Sequence, residues 1–261
     1  MIEINFNGEF GWELLKSVPY AYYLHVSGVP LKTISCLDTK CLYYFSENHE
    51  ERHSSRIGMS GNHWMGRKPF ISIHRKEPPS EFWIPPPYKT IFKQKIKKEK
   101  PIFVISNKFN KEWGANPINY ISKSSIIKIV NILKNKYKIY YNRPTNIVQD
   151  NSKIFDLKEK DDVEKSGAVL MEKEYENYKQ ILTFNEFQMS VFSECDDFIS
   201  VQGGGSILSS YFGGSNMILA RRGQELTSGS YSWYEKLSGC NVSVFNSEDQ
   251  MIESIRKKYD S

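Results

Sequence analysis

The sequence predicts an α/β protein of two Rossmann-like lobes with parallel sheets, the N-terminal lobe being the smaller. Three observations carry this. After residue 100, short apolar runs alternate with runs of helical spacing, and strands separated by helices form parallel sheets covered on both faces. The first 95 residues hold one shorter strand–helix–strand pattern. Between the two lies a proline-rich and then lysine-rich stretch that reads as a linker or surface strap. The expected division is therefore residues 1–95 and 96–261.

In order along the chain, residues 2–6 alternate apolar and polar as a strand does. Asn7–Gly11 is a turn. From Trp12 to Val26 apolar residues recur at helical spacing, with a break expected at Pro19. Leu31–Leu37 and Leu42–Phe45 are candidate strands, and irregular chain is expected after residue 46. The stretch PPSEFWIPPP (78–87) excludes a regular helix, because proline lacks the N–H and clashes with the preceding turn. Lys89–Lys100 interleaves Phe92 and Ile96 with lysines. It reads as a solvated strap and, second, as a candidate membrane-surface contact.

Beyond it, Pro101–Ile105 is a buried strand ending in Ser106-Asn107-Lys108. Ser122 caps a helix running to Lys134. Lys138–Tyr141 is a strand ending in Asn142-Arg143, and Ala168–Met171 is another. Thr183 and Glu186 have the spacing of a capping box. Phe198–Val201 is a strand, Ser206–Phe212 a helix, and Met217–Ala220 a strand. Ser247–Lys258 closes as a helix, with acids in its first turn and bases in its last, as the helix dipole favours.

Composition bounds the function. The 261 residues are 39% hydrophobic and 25% charged, with a net charge of +5, enough for one large or two small domains and for anionic ligands. No stretch near 20 apolar residues and no signal sequence is apparent, so a cytoplasmic protein, at most peripheral to a membrane, is expected. The four cysteines form no CxxC pair and read as reduced thiols.

Ligands of such sheets bind at the carboxyl ends of the strands. That rule selects Asn7–Gly11 (with Gly8 and Gly11), Asn107, Lys108, Asn142, Arg143, Gln202–Ser206, Arg221 and Arg222. Within Gln202-Gly203-Gly204-Gly205-Ser206, bare main-chain N–H groups at a helix start suit a phosphate. A tight turn packed on a neighbour is the structural alternative. On the binding reading, Gly204→Val abolishes nucleotide binding and leaves the fold largely intact. Neither a Walker loop nor a full dinucleotide fingerprint is present.

The succession of strand, glycine-rich turn, helix and strand ending in basic residues resembles the donor lobe of GT-B-type glycosyltransferases, with heptosyltransferases and O-fucosyltransferases as the nearest patterns. The opening Asn-Gly-Glu-Phe-Gly-Trp-Glu-Leu is similar to a stretch in surface-polysaccharide transferases. The resemblance covers about residues 1–15 and 100–225. It implies a nucleotide-sugar donor between the lobes, an acceptor-side N-terminal lobe and a glycan or glycolipid acceptor. The leaving diphosphate would be neutralised by Gly203–Ser206 N–H groups with Lys108, Arg143, Arg221 or Arg222. No Asp-x-Asp occurs, so no metal and no further cofactor is expected. Inverting transfer needs a base for the acceptor hydroxyl. Glu9, in the first turn, and Glu13, one helical turn on, are the catalytic candidates. Glu225 and Tyr231 are weaker candidates for ribose or sugar contact.

His49-Glu50-Glu51-Arg52-His53 matches HExxH, but it lacks the apolar face that anchors a zinc-protease helix, so a polar loop or exposed helix is expected. His63 and His74 complete no ligand set, and His74-Arg75, after a strand-like Phe70–Ile73, is a further cleft candidate. Two other functions compete: another sugar-nucleotide enzyme such as an epimerase or hydrolase, and a non-catalytic nucleotide- or RNA-binding protein using Lys89–Lys100. RRM and KH signatures are missing, so nucleic acid is not the expected partner.

Overall fold

A computed structural model describes residues 1–57, 82–93, 100–145 and 153–259. His63, Phe70–Ile73, His74, Arg75 and Lys95–Lys98 lie outside the described residues. The N-terminal sheet has strands β1 (Ile2–Asn5), β2 (Leu31–Cys36) and β3 (Asn48–His53), in that order and all parallel. The larger sheet holds β4 (Ile102–Ser106), β5 (Lys138–Asn142), β6 (Val169–Leu170), β7 (Cys195–Val201), β8 (Ser215–Leu219) and β9 (Asn241–Phe245). Its order is β6-β5-β4-β7-β8-β9, all parallel, which is the doubly wound Rossmann order. The helices are α1 (Phe10–Trp12), α2 (Val18–Val26), α3 (Tyr88–Ile91), α4 (Lys123–Leu133), α5 (Lys160–Ser166), α6 (Met171–Tyr175), α7 (Phe184–Ser193), α8 (Gly204–Ser210), α9 (Glu225–Ser228), α10 (Tyr231–Ser238) and α11 (Glu248–Tyr259).

Period-two alternation sorts the large sheet's side chains into two layers. Phe103 and Ile105 of β4 join Ile126, Ile129 and Val130 of α4 and Met251, Ile252 and Ile255 of α11. Ile102 and Val104 point the other way, into a core with Phe192 of α7, Ile207 and Leu208 of α8 and Trp233 of α10. That second core continues without interruption into Ile4, Leu14, Leu15 and Val18 of the N-terminal sheet region. Tyr211 Oη donates to the Leu14 carbonyl (2.6 Å) and Trp83 Nε1 to that of Leu15 (2.7 Å). One apolar core therefore spans both sheets.

Several expectations are corrected. Pro19 does not break the helix: it stands in the first turn of α2, after a π-helical turn over Glu13–Ser17, where a missing N–H is tolerated. Residues 42–45 contribute to a 3-10 turn (Lys40–Tyr43), not a strand. The HExxH stretch is β3, the edge of the small sheet, where His49 faces Thr33 and bonds its hydroxyl (2.7 Å) and that of Ser35 (3.1 Å). Over residues 82–93 the strap is only partly solvated. Trp83 and Tyr88 are buried, and Lys89 Nζ donates to the Cys195 carbonyl (3.2 Å) and pairs with Asp196. The capping box at Thr183 and Glu186 is present. All four cysteines are buried free thiols. Among the described residues no helix is long and apolar enough to cross a membrane.

Candidate functional site

In the large sheet the strand order reverses between β4 and β7. From β4 the chain moves to β5 and β6 on one side, and from β7 to β8 and β9 on the other. The turns leaving these two strands diverge toward opposite faces and open a crevice at their carboxyl ends. Ser106 and Ser200 are register partners, which sets Asn107-Lys108 beside Val201-Gln202.

The glycines of the β7 turn serve different ends. Gly203 has φ +128° and ψ −166°, which a side chain resists. A Cβ there would stand 3.2 Å from Lys108 Nζ, so the lysine ammonium lies against this turn, where it also pairs with Glu112. Gly204 is a packing glycine. Its Cβ would fall 2.7 Å from Phe10 Cδ1 and 3.3 Å from the Gly11 nitrogen. Gly11 is its counterpart, with Ile207 Cδ1 at 3.0 Å and the Gly204 Cα at 3.6 Å. The turn after β1 and the turn after β7 thus touch main chain to main chain. The expectation that Gly204→Val spares the fold is corrected: that position has no room for a side chain. Gly205 differs from both. It is exposed, has no positive φ, and a Cβ would meet nothing nearer than Ser106 Cβ at 3.9 Å. Neither packing nor backbone conformation demands glycine there. Ser206 is buried, and its hydroxyl donates to the Gly203 carbonyl (2.8 Å), closing the turn.

The β1 turn is held by charge. Arg56, just past β3, donates from Nη1 to the Gly8 carbonyl (2.9 Å) and from Nη2 to Glu13 Oε2 (2.6 Å). Glu13 is fully buried, and its other oxygen accepts from Tyr43 Oη (3.0 Å). Both oxygens are engaged away from the crevice. Glu9, by contrast, is exposed, and its carbonyl accepts from the Trp12 and Glu13 N–H groups at the start of α1.

The other basic candidates divide. Arg143 is buried in a bidentate pair with Glu159 (Nε–Oε1 2.5 Å, Nη2–Oε2 2.8 Å), which also accepts from Tyr141 Oη (3.0 Å). It lines a cavity of about 590 Å³ with Thr145, Phe155, Lys158 and Lys160, beside β5 rather than at the glycine turn. Arg221 spends its guanidinium on the carbonyls of Ile118 (2.9 Å) and Tyr120 (2.8 Å) and on Glu248 (2.5 Å). Arg222 is exposed and stands over the Trp113 ring at 5.7 Å. Asn107 is a loop anchor, exchanging bonds with the main chain of Ile121. Asn142 Nδ2 donates to Gln188 (2.8 Å), and its buried Oδ1 has no partner among the described residues. Gln202 Nε2 donates to Glu225 (2.6 Å). Its Oε1, like the Tyr231 hydroxyl, is buried with no hydrogen-bond partner among the described residues. Gly223 makes room for this group, since a Cβ there would sit 1.8 Å from Gln202 Nε2.

Lys108, Gly203, Gly205, Gln202 and Arg222 thus share the large sheet's carboxyl-end edge, against the turn that carries Gly8, Glu9 and Gly11. Glu13, Asn107, Arg143 and Arg221 serve to hold loops. Sequence reasoning did not single out Arg56 or Trp113; a tryptophan set before Gly114 among turn-forming residues was the available signal.

No family model matches the sequence, and no curated protein does. Among solved structures the chain is similar to the crystal structure of Acinetobacter baumannii MurG, with 9% identity and a TM-score of 0.38 over 91% of this chain. The chain spans 59% of the length of that structure.

Proposed function

We propose that the chain is a metal-independent, inverting glycosyltransferase that moves a sugar from a nucleotide-sugar to a glycan or glycolipid. The observation that carries this reading is the apposition of the Lys108 ammonium to the Gly203 turn at the switch point, with the bare main chain of Gly205 exposed beside it. A cation and helix-start N–H groups are what a diphosphate leaving group requires. Gln202 with Glu225 offers hydrogen bonds to the nucleoside. Residues 1–95 supply the acceptor side and residues 96–261 the donor side.

In the proposed reaction an acceptor hydroxyl oxygen attacks the anomeric carbon. The bond from that carbon to the diphosphate oxygen breaks, and its electron pair leaves with the diphosphate. The hydroxyl proton passes to Glu9, the exposed carboxylate of the facing turn. We place the reaction in the cytoplasm. A contact of the Lys89–Lys100 stretch with a membrane surface belongs to the reading and would rest on its other lysines, Lys89 being tied to Asp196.

Melting the protein with UDP, GDP or CMP, with and without EDTA, tests the donor site. A nucleotide at about 100 times its dissociation constant stabilises by roughly 2.7 kcal/mol, and EDTA should leave that shift in place. Gly205→Ala is the sharper probe. It should stabilise the free protein by about 0.5–1 kcal/mol through helix propensity while shrinking the nucleotide shift. An undiminished shift in that variant removes the diphosphate from this turn. Glu9→Gln should keep the shift and lose transfer.

A further inference from the structure

The chain leaving β4 makes a two-residue hairpin before it reaches α4. Glu112 and Ala115 exchange both main-chain hydrogen bonds (2.8 and 3.2 Å) around Trp113 and Gly114. Trp113 has φ +46° and Gly114 φ +80°. Two successive positive φ values are the requirement of a type I′ turn, whose first position favours asparagine, aspartate or glycine. A bulky side chain there is strained, and such strain persists where the surroundings impose it. Here they do. The Glu112 carboxylate pairs with Lys108 and accepts from the Ile118 (3.1 Å) and Asn119 (2.8 Å) N–H groups. Asn119 in turn accepts from the Arg221 and Arg222 N–H groups (2.7 and 3.2 Å) and donates to the Arg222 carbonyl (3.0 Å). The loop after β4 is thereby bolted across to the turn after β8, over the end of β7.

The product of this bracing is an indole that is 61% exposed, with the Arg222 guanidinium over its ring at 5.7 Å. Core packing does not account for it, and turn propensity opposes it. We infer that Trp113 and Arg222 form a stacking platform for an acidic pyranose of the acceptor glycan, a uronic acid or its like. The apolar C–H face of such a ring suits the indole, and the planar guanidinium fork matches the carboxylate. The platform stands beside the crevice because Glu112, its neighbour, holds the same Lys108 that lies against Gly203. It is an acceptor subsite on the donor-side unit, met by a glycan that reaches across the crevice from the N-terminal side, and as such it rests on the transferase reading above.

The test uses the full chain on immobilised oligosaccharides carrying neutral, N-acetylated and uronic-acid pyranoses, with UDP, GDP and CMP melting shifts in parallel. The uronic-acid glycans should be retained best. Trp113→Ala should weaken that retention by roughly tenfold, the scale of one aromatic contact, and Trp113→Phe should keep most of it. Trp113→Asn suits the turn, so it should melt no lower than the parent while losing the glycan. Nucleotide shifts should not change in any of the three. The inference is overturned if the parent retains no uronic-acid glycan, if neutral rings are retained equally, or if Trp113→Ala binds like the parent. It is also overturned if Trp113→Ala loses the nucleotide shift and keeps the glycans, since the indole then stacks on a base. Uronic-acid binding through Trp113 with no nucleotide shift in the parent would instead sink the transferase reading and leave the platform standing.

Discussion

The turn after β1 and the turn after β7 touch, yet they are held by opposite means. The first is fixed by a buried ion pair: Arg56 grips the Gly8 carbonyl and Glu13 at once. The second is fixed without charge, by the Ser206 hydroxyl on the Gly203 carbonyl and by a glycine, Gly204, small enough to lie on Gly11. The difference separates the roles of charge in the molecule. Buried arginines (Arg56, Arg143) are loop clamps, and the cations at the rim (Lys108, Arg222) are those on which the proposed sites draw.

Breaking the charged clamp should have the largest effect. Arg56→Ala leaves Glu13 buried and uncompensated, which destabilises by roughly 3–5 kcal/mol, or on the order of 10 °C in melting temperature for a chain of this size. Replacing both partners by apolar residues, Arg56→Met with Glu13→Leu, should recover most of that loss. A single Arg56→Ala that melts within a degree of the parent would show that the pair is not the clamp. The uncharged turn should yield less. Gly204→Ala overpacks against Phe10, at about 1–3 kcal/mol, and Phe10→Ala in the same chain should relieve part of it. Additive losses in that pair would separate the two contacts.

The smallest effect concerns pH. Lys16, on the π-helical turn beside Glu13, is buried against the Trp12 ring at 3.5 Å, and burial lowers its pKa from 10.5 to about 7. Above about pH 7 the folded state releases a proton that the unfolded chain keeps, so stability rises with pH. The rise should be clean to about pH 7.5; nearer pH 8.5 the four thiols, held protonated by burial in the fold, ionise in the unfolded chain and offset it. Lys16→Met should flatten the slope in that window, measured as melting temperature against pH.

The large sheet was legible because apolar residues do its work: the β4 run sends alternate side chains into two cores, and that pattern is written in adjacent letters. The edge strand β3 was illegible for the converse reason. Its inward contacts are His49 with Thr33 and Ser35, a polar ladder that no hydrophobic period announces. The α2 helix survives Pro19 because a π-turn precedes it, which sequence spacing does not reveal. At the site, Glu13 reads like any first-turn acid, since its partner Arg56 is 43 residues away. The three consecutive glycines read as one motif. The fold assigns one to an unusual backbone angle, one to contact and one to open solvent.

That a single hydrophobic interior underlies both sheets has a mechanical consequence. The walls of the crevice are two faces of the same cooperative unit, so they cannot swing apart as hinged jaws without exposing Leu14, Leu15 and Trp233 to water. A ligand of the proposed site would therefore meet a surface already in its binding shape. The chain should melt in one calorimetric step, and severing it between the sheets should leave neither fragment able to fold alone.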